Sequence, residues 1–193
     1  MGPPQAEEAL RKCISFGADD AVLVTDRSFA GADTLATSYA LASAIRQIGK
    51  EQAVDAVFTG KQTIDGDTAQ VGPGIAKRMG LQLLTYVSRI VETDLDNRVI
   101  TVERRAEGGV QVLKTALPCL ITMLENTNEL RFATMPAMIH AAAYPVRKWN
   151  KDEAGVEDVE KIGLKGSPTV VSKVFGPTPR SEKAEMLELE TST

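Results

Sequence analysis

The stretch covering residues 54–79 constrains the fold more than any other part of the sequence. An apolar run typical of a β-strand, residues 56–59, meets a polar segment at residues 60–66, and an apolar helical stripe then follows at Val71, Ile75 and Met79. This order predicts a helix that opens at Asp67 and Thr68. Its N-terminal N–H groups and positive dipole end would suit a phosphate or another anion. The pattern leaves open a second interpretation, an ordinary turn in which Asp67 is the helix N-cap.

An earlier segment repeats this layout. The apolar run at residues 22–25 is followed by a polar segment, residues 26–32, and then by Asp33 and Thr34, which open a second predicted helix. The spacing from Thr25 to Asp33 equals the spacing from Thr59 to Asp67. The repeat predicts two neighbouring loops at one end of a parallel sheet, which is where ligands bind in open α/β sheets.

The remaining elements predict an α/β fold with one antiparallel excursion. Predicted helices cover residues 5–16, 34–48 and 136–142, and predicted strands cover residues 83–91, 99–104, 110–114 and 119–123. The chain opens on a helix, so its opening strand is either absent or supplied by another chain, and residues 1–145 are interpreted as an incomplete nucleotide-binding domain. Residues 146–193 have weak periodicity, with a β-like run at residues 170–175, and are predicted to form a C-terminal arm that either stays disordered or packs on a partner subunit.

Composition excludes several classes of function. The net charge is -4 and Lys and Arg form no long run, which argues against a nucleic-acid surface. Cys13 and Cys119 have no metal-ligand spacing and His140 is the single histidine, so no metal site is predicted. No apolar run reaches the ~20 residues that a membrane helix needs, and no secretory signal is visible. These features predict no membrane insertion and a cytoplasmic location.

No catalytic constellation stands out. The sequence has no GxSxG elbow, no HExxH helix and no P-loop, and Cys13 lacks a nearby histidine base. Asp65 and Asp67 are interpreted as turn and cap residues rather than as paired catalytic carboxylates. No catalytic residue is therefore predicted, and any chemistry is expected to belong to a bound cofactor.

The segment at residues 60–73, GKQTIDGDTAQVGP, resembles the signature of the electron transfer flavoprotein β subunit. Similar segments at residues 1–3, 29–38, 102–104 and 131–136 extend the resemblance over nearly the whole chain. It implies a Rossmann-like, mostly parallel sheet of the adenine nucleotide α-hydrolase-like type. Members of the family have further strands before the position of Met1, so the resemblance also implies an N-terminally shortened chain.

The resemblance implies an electron carrier subunit rather than a self-contained enzyme. Such a β subunit pairs with an α subunit that holds FAD, and passes electrons between dehydrogenases of the acyl-CoA dehydrogenase type and an acceptor. It binds AMP in simple carriers and a second FAD in the electron-bifurcating group, which draws electrons from NADH. FAD is favoured over AMP here because the loop at residues 29–34 resembles that of β subunits from anaerobic bifurcating systems, and the small residues of this loop would leave room for a dinucleotide.

The resemblance also implies the site residues. The expected nucleotide contacts are Met1, Asp33, Thr34, Thr37, Gly60, Lys61, Gln62, Thr63, Ile64, Asp65, Gly66, Asp67, Thr68, Ala69, Gln70 and Val71. The expected docking segment for the dehydrogenase is Ala133, Thr134, Met135 and Pro136, with Met135 as its apolar anchor. The alternative hypothesis is a stand-alone adenine-nucleotide-binding regulatory module of the universal-stress type, which would be self-contained and would have no wrapping arm.

Overall fold

The computed structural model describes residues 1–179 of the chain. The helices are α1 (Glu7–Ser15), α2 (Thr34–Glu51), α3 (Val71–Met79) and α4 (Met135–Ala143). The strands are β1 (Val22–Val24), β2 (Ala56–Gly60), β3 (Gln82–Asp94), β4 (Val99–Ala106), β5 (Gly109–Ala116), β6 (Cys119–Met123) and β7 (Arg147–Trp149). Short 3-10 helices lie at Pro4–Ala6, Arg27–Phe29 and Val159–Lys161.

The larger sheet has five strands in the order β2-β6-β3-β4-β5. Strands β2, β6 and the first half of β3 are parallel, whereas β3, β4 and β5 form an antiparallel meander. A bulge in β3 separates its two halves: Tyr86 has a φ of 57°, and its N–H donates to the Thr122 hydroxyl of β6 at 3.1 Å. The predicted α/β class and the predicted antiparallel excursion are both confirmed.

Strand β1 lies outside this sheet, and the expectation that β1 and β2 share one sheet is wrong for residues 1–179. Strand β1 pairs in parallel with β7, and β2 pairs with β6. Helix α2 connects the two sheets because it is lined with small residues on two sides. Ala40 and Ala44 pack into a core with Val24 of β1, while Ala42 packs into another with Ile75 of α3.

Part of the predicted C-terminal arm folds onto this chain. Trp149, Ala154 and Ile162 are buried in the same core as Val24 and Phe29. Residues 168–179 are exposed, and the run at residues 170–175 forms no strand there, so the β-like prediction for it is wrong. The predictions for residues 180–193 lie outside the described residues. None of the helices within residues 1–179 has the length and apolar character needed to span a bilayer.

Candidate functional site

Asp33 begins the first of two helices whose N-termini form the site. One carboxylate oxygen, Oδ1, accepts hydrogen bonds from the N–H groups of Leu35 and Ala36 at 2.9 and 3.0 Å. This is an N-cap, and it confirms the predicted start of α2 at Thr34. The second oxygen, Oδ2, accepts from the N–H and the hydroxyl of Thr169 at 3.2 and 2.9 Å. Partial burial alone would raise the pKa of Asp33, but these hydrogen bonds outweigh it and hold the pKa below its ordinary value.

The second loop has a different geometry, and two predictions about it are wrong. Helix α3 begins at Val71 rather than at Asp67 and Thr68, and its N-cap is Gln70, which makes no side-chain cap. Asp67 is therefore not the N-cap. Asp67 and Ala69 have φ angles of 47° and 54°, in the left-handed region, so neither residue can belong to a right-handed helix.

Hydrogen bonds within the second loop close it on itself. The N–H of Asp67 donates to the Thr63 carbonyl at 3.1 Å, and the Gln62 amide donates to the Asp67 carboxylate. The Thr63 hydroxyl accepts from the N–H of Gly66 at 3.3 Å. A hydrogen bond from that hydroxyl, with others from the loop amides, lowers the pKa of Asp65. Asp65 is therefore ionised at neutral pH and does not act as a general acid.

The two helix N-termini are in direct contact. The Thr34 hydroxyl donates to the Gln70 side-chain oxygen at 2.7 Å, which joins the start of α2 to the start of α3. Gly74 permits this approach, because a Cβ there would lie 2.6 Å from the Ser38 hydroxyl oxygen. At Gly72 a Cβ would lie 2.7 Å from the Thr122 side chain and 2.8 Å from that of Thr59. The glycines of α3 therefore bring its first turn against both α2 and the larger sheet.

Three cavities surround these loops. One of about 340 Å³ lies between the two helix N-termini and is lined by Asp33, Thr34, Leu35, Ser38, Gln70, Gly74, Pro168 and Thr169. A second of about 680 Å³ is lined by Met1, Gly2, Pro3, Pro4, Thr25, Asp26, Arg27, Phe29 and Ala30. A third of about 440 Å³ lies against Gly60–Ile64, with Arg105 and Glu125 on its other side. All three have the volume of small-molecule sites.

The predicted nucleotide contacts divide among these cavities. Met1 lines the second cavity, and Asp33, Thr34 and Gln70 line the first. The third cavity is lined by Gly60, Lys61, Gln62, Thr63 and Ile64. In the described part of the chain, none of the three cavities is lined by Thr37, Asp65, Gly66, Asp67, Thr68, Ala69 or Val71.

Several residues that line the cavities are not among the predicted contacts, and three of them are the most informative. Pro168 and Thr169 line the first cavity, although they lie more than a hundred positions from Asp33 in the chain. No local pattern signals such a contact. The third contributor is Thr59 at the end of β2, whose hydroxyl oxygen is buried and, among residues 1–179, has no hydrogen-bond partner. Its position at the carboxyl end of a parallel strand was the available signal.

The predicted docking segment leads into α4. Thr134 is the N-cap of α4, and its hydroxyl accepts from the Ala137 N–H at 3.4 Å. Met135 and Pro136 occupy the first turn, and Met135 is 66% exposed. Met138 and Ile139 are also exposed and lie three and four residues further on, so they share a face with Met135. The C-terminal end of α4 is held by Arg11, which donates to the carbonyls of Ala141, Ala142 and Tyr144.

Comparison with known proteins identifies the family. The electron transfer flavoprotein domain matches residues 1–154. The chain is 66% identical over 192 residues to protein FixA of Azotobacter vinelandii, covering 100% of this chain and 68% of that protein. It is 42% identical over 187 residues to the caffeyl-CoA reductase–Etf complex subunit CarD of Acetobacterium woodii, covering 97% and 68% of the two chains.

A further relative carries the subunit type in its name. The chain is 42% identical over 173 residues to electron transfer flavoprotein subunit beta of Clostridium acetobutylicum, covering 90% of this chain and 64% of that protein. The chain spans about two thirds of the length of these relatives. The family match covers most of the chain, and the identities hold over nearly all of it. The chain therefore belongs to the electron transfer flavoprotein family, as a protein of the β-subunit type.

Proposed function

We propose that this chain is the β subunit of a heterodimeric electron transfer flavoprotein and that it binds an adenine nucleotide. The observation that carries the proposal is the contact between the N-termini of α2 and α3 through Thr34 and Gln70. Two helix N-termini side by side direct their positive dipole ends toward one small cavity, although the Leu35 and Ala36 N–H groups of α2 already donate to Asp33. A phosphate or pyrophosphate group is the ligand that such a cavity suits best.

The cavities match the parts of an adenine nucleotide. The cavity of about 680 Å³ has apolar walls at Met1, Pro3 and Phe29, which suit the faces of an adenine ring. The cavity of about 340 Å³ at the helix N-termini would hold phosphate, with the Gln70 side-chain NH₂ group as a donor, since the Thr34 hydroxyl already donates to the Gln70 oxygen. The hydroxyl of Thr59 lies beside Gly72 in the first turn of α3 and has no hydrogen-bond partner among residues 1–179, so it is a further polar atom that a ligand would satisfy.

FAD is the proposed nucleotide and AMP is the alternative. A dinucleotide would extend into the separate cavity of about 440 Å³ against Gly60–Ile64, which AMP would leave empty. Lys61 lies 5.6 Å above the Tyr86 ring and Arg105 lines the same cavity, so cationic and aromatic groups are available there. A bound flavin would supply the electron chemistry. This chain's residues would bind it, orient it and shield it from water.

Two partners are proposed. An α subunit carrying FAD would pair with this chain, and the exposed residues 170–179 would begin the arm that contacts it. A dehydrogenase of the acyl-CoA dehydrogenase type would dock at Ala133–Pro136, and the flavin would pass electrons between it and an acceptor, by bifurcation from NADH if the nucleotide is FAD. The exposed apolar face of Met135, Met138 and Ile139 supports a docking role, because such patches mark interaction sites.

The test is the electron-transfer rate of the full-length heterodimer carrying Met135→Ala. Loss of a central apolar anchor is expected to slow transfer from the dehydrogenase about tenfold while nucleotide content stays unchanged. Leu95→Ala is the matched control, since Leu95 is 72% exposed but lies in the β3–β4 connection. Equal rates for the Met135 variant and wild type would contradict the docking role. A chain that binds nucleotide alone and never pairs with an α subunit would instead favour the universal-stress alternative.

A further inference from the structure

The segment Leu164–Thr169, here called the strap, folds back over the first loop. Ser167 is buried, and its hydroxyl accepts from the N–H of Asp33 at 2.8 Å while donating to the Gly163 carbonyl at 2.6 Å. Thr169 contributes two further donors to the Asp33 carboxylate. The strap is therefore joined to the N-cap of α2 by three hydrogen bonds, through both the main chain and the side chain of Asp33.

Two glycines allow the strap to lie this close. Gly163, just before the strap, has a φ of 54°, and a Cβ there would lie 2.1 Å from the Ser28 carbonyl oxygen. Gly31, in the first loop, has a φ of 72°, and a Cβ there would lie 2.6 Å from the Leu164 side chain. Both positions therefore combine a left-handed backbone with contact too close for a side chain. The strap is seated on the loop itself.

The carboxylate of Asp33 has little capacity left for a ligand. Oδ1 accepts two backbone N–H groups of α2, and Oδ2 accepts the N–H and the hydroxyl of Thr169. Two carboxylate oxygens offer about four acceptor sites, so all of them are occupied. A free carboxylate beside a phosphate would also repel it, whereas one held by four donors presents less negative charge to the cavity.

We infer that Asp33 is a positioning residue of the proposed nucleotide site, and that it acts by fixing the strap as one wall of the cavity at the helix N-termini. Pro168 and Thr169 line that cavity and lead directly into the exposed residues that begin the proposed arm. Release of the strap from Asp33 would open the cavity and free the start of the arm together. This inference rests on the proposed function, because it assigns a role within that site.

The experiment compares Asp33→Asn with Thr169→Val and Thr169→Ser in the full-length heterodimer. Asparagine keeps an oxygen that can cap α2 but replaces one oxygen with an NH₂ group, which cannot accept from Thr169. Two quantities are measured: the rate of release of the bound nucleotide, and hydrogen exchange of the backbone amides of residues 164–167 and 169. Thr93→Val, at an exposed position of β3, is the matched control.

Asp33→Asn is expected to release nucleotide on the order of tenfold faster and to expose the strap amides, because charge-assisted hydrogen bonds are lost. Thr169→Val is expected to act in the same direction, and Thr169→Ser to restore wild-type behaviour. Unchanged release and exchange in Asp33→Asn would overturn the inference. Faster release without faster strap exchange would also overturn it, since Asp33 would then be a direct ligand. A wild-type chain that retains no nucleotide would contradict the proposed function itself.

Discussion

The two loops at the site have the same spacing of polar residues in the sequence but differ in structure. In the first loop Asp26 and Asp33 each accept a hydrogen bond from an N–H two residues later, and the strap covers the loop. In the second loop two residues adopt left-handed backbone, α3 begins without a side-chain cap, and Ile64 is fully exposed. The first loop is fixed by contacts with the rest of the domain, and the second is fixed mainly by its own turn.

This difference assigns separate roles to the loops. A loop held on several sides is preorganised, so the first loop is expected to keep its shape whether or not nucleotide is bound. The second loop has fewer contacts outside itself, apart from the Thr34–Gln70 hydrogen bond and the first turn of α3. We therefore expect the second loop to change its conformation more than the first when nucleotide binds. We also expect the contact between the N-termini of α2 and α3 through Thr34 and Gln70, here called the joint, to control retention of the nucleotide.

Gly74→Val tests the joint with the largest expected effect. The new side chain would meet Ser38, at 2.6 Å from its hydroxyl oxygen, and push α3 away from α2. Overpacking of this kind is expected to lower the free energy of unfolding by about 1–3 kcal/mol and to abolish nucleotide retention. Denaturant unfolding and the nucleotide content of the purified heterodimer measure the two effects.

Gly49→Val is the control for this variant, since Gly49 is an exposed residue of α2 and a Cβ there would have its nearest neighbour at 3.9 Å, an ordinary contact. It is expected to leave both quantities unchanged. If Gly74→Val kept wild-type stability and nucleotide content, close contact of α2 and α3 would not be needed for the site.

Thr34→Val removes a single hydrogen bond from the joint, so its expected effect is smaller than that of Gly74→Val. The variant removes the hydroxyl that donates to Gln70 at 2.7 Å while keeping the side-chain volume. Loss of one hydrogen bond of about 1 kcal/mol is expected to speed nucleotide release roughly fivefold. Thr34→Ser keeps the hydroxyl and is expected to release nucleotide at the wild-type rate. Equal rates of nucleotide release from the valine and serine variants would show that the Thr34–Gln70 hydrogen bond does not contribute to retention of the nucleotide.

Ala69→Gly and Ala32→Gly test the backbone difference, with the smallest expected effects. Each alanine directly precedes an N-cap, but only Ala69 has positive φ, at 54°. Glycine at position 69 relieves left-handed strain and is expected to raise the free energy of unfolding by about 0.5 kcal/mol. Glycine at position 32 only adds conformational freedom to the unfolded chain and is expected to lower the free energy of unfolding by roughly 0.4–1 kcal/mol. Changes of the same sign would contradict the proposed difference between the loops.

Much of the architecture follows from local sequence patterns. Alternating and apolar runs located the strands from β3 to β6, and Asp33 marked the start of α2 because a carboxylate at that position caps a helix. The same reasoning failed at Asp67. A carboxylate can also stabilise a tight turn, and only the φ angles of Asp67 and Ala69 distinguish the two outcomes.

Long-range contacts could not be predicted in this way. The pairing of β1 with β7 joins residues more than a hundred positions apart, and Thr169 reaches Asp33 over a similar separation. The segments that make these contacts, residues 146–169, have weak periodicity because they bury single residues such as Trp149 and Ile162 rather than a regular face. Their sequence therefore indicates an arm, whereas their contacts make them part of the domain.

The most direct test of the nucleotide site is a count of nucleotides in the full-length heterodimer with its α subunit. Denaturation would release the bound molecules, and chromatography would give FAD and AMP per heterodimer for wild type and for Gly74→Val. We expect two FAD and no AMP in wild type, and one FAD in the variant, because the second nucleotide depends on the contact between α2 and α3. A wild-type heterodimer holding one FAD and no other nucleotide would contradict the proposed site in this chain.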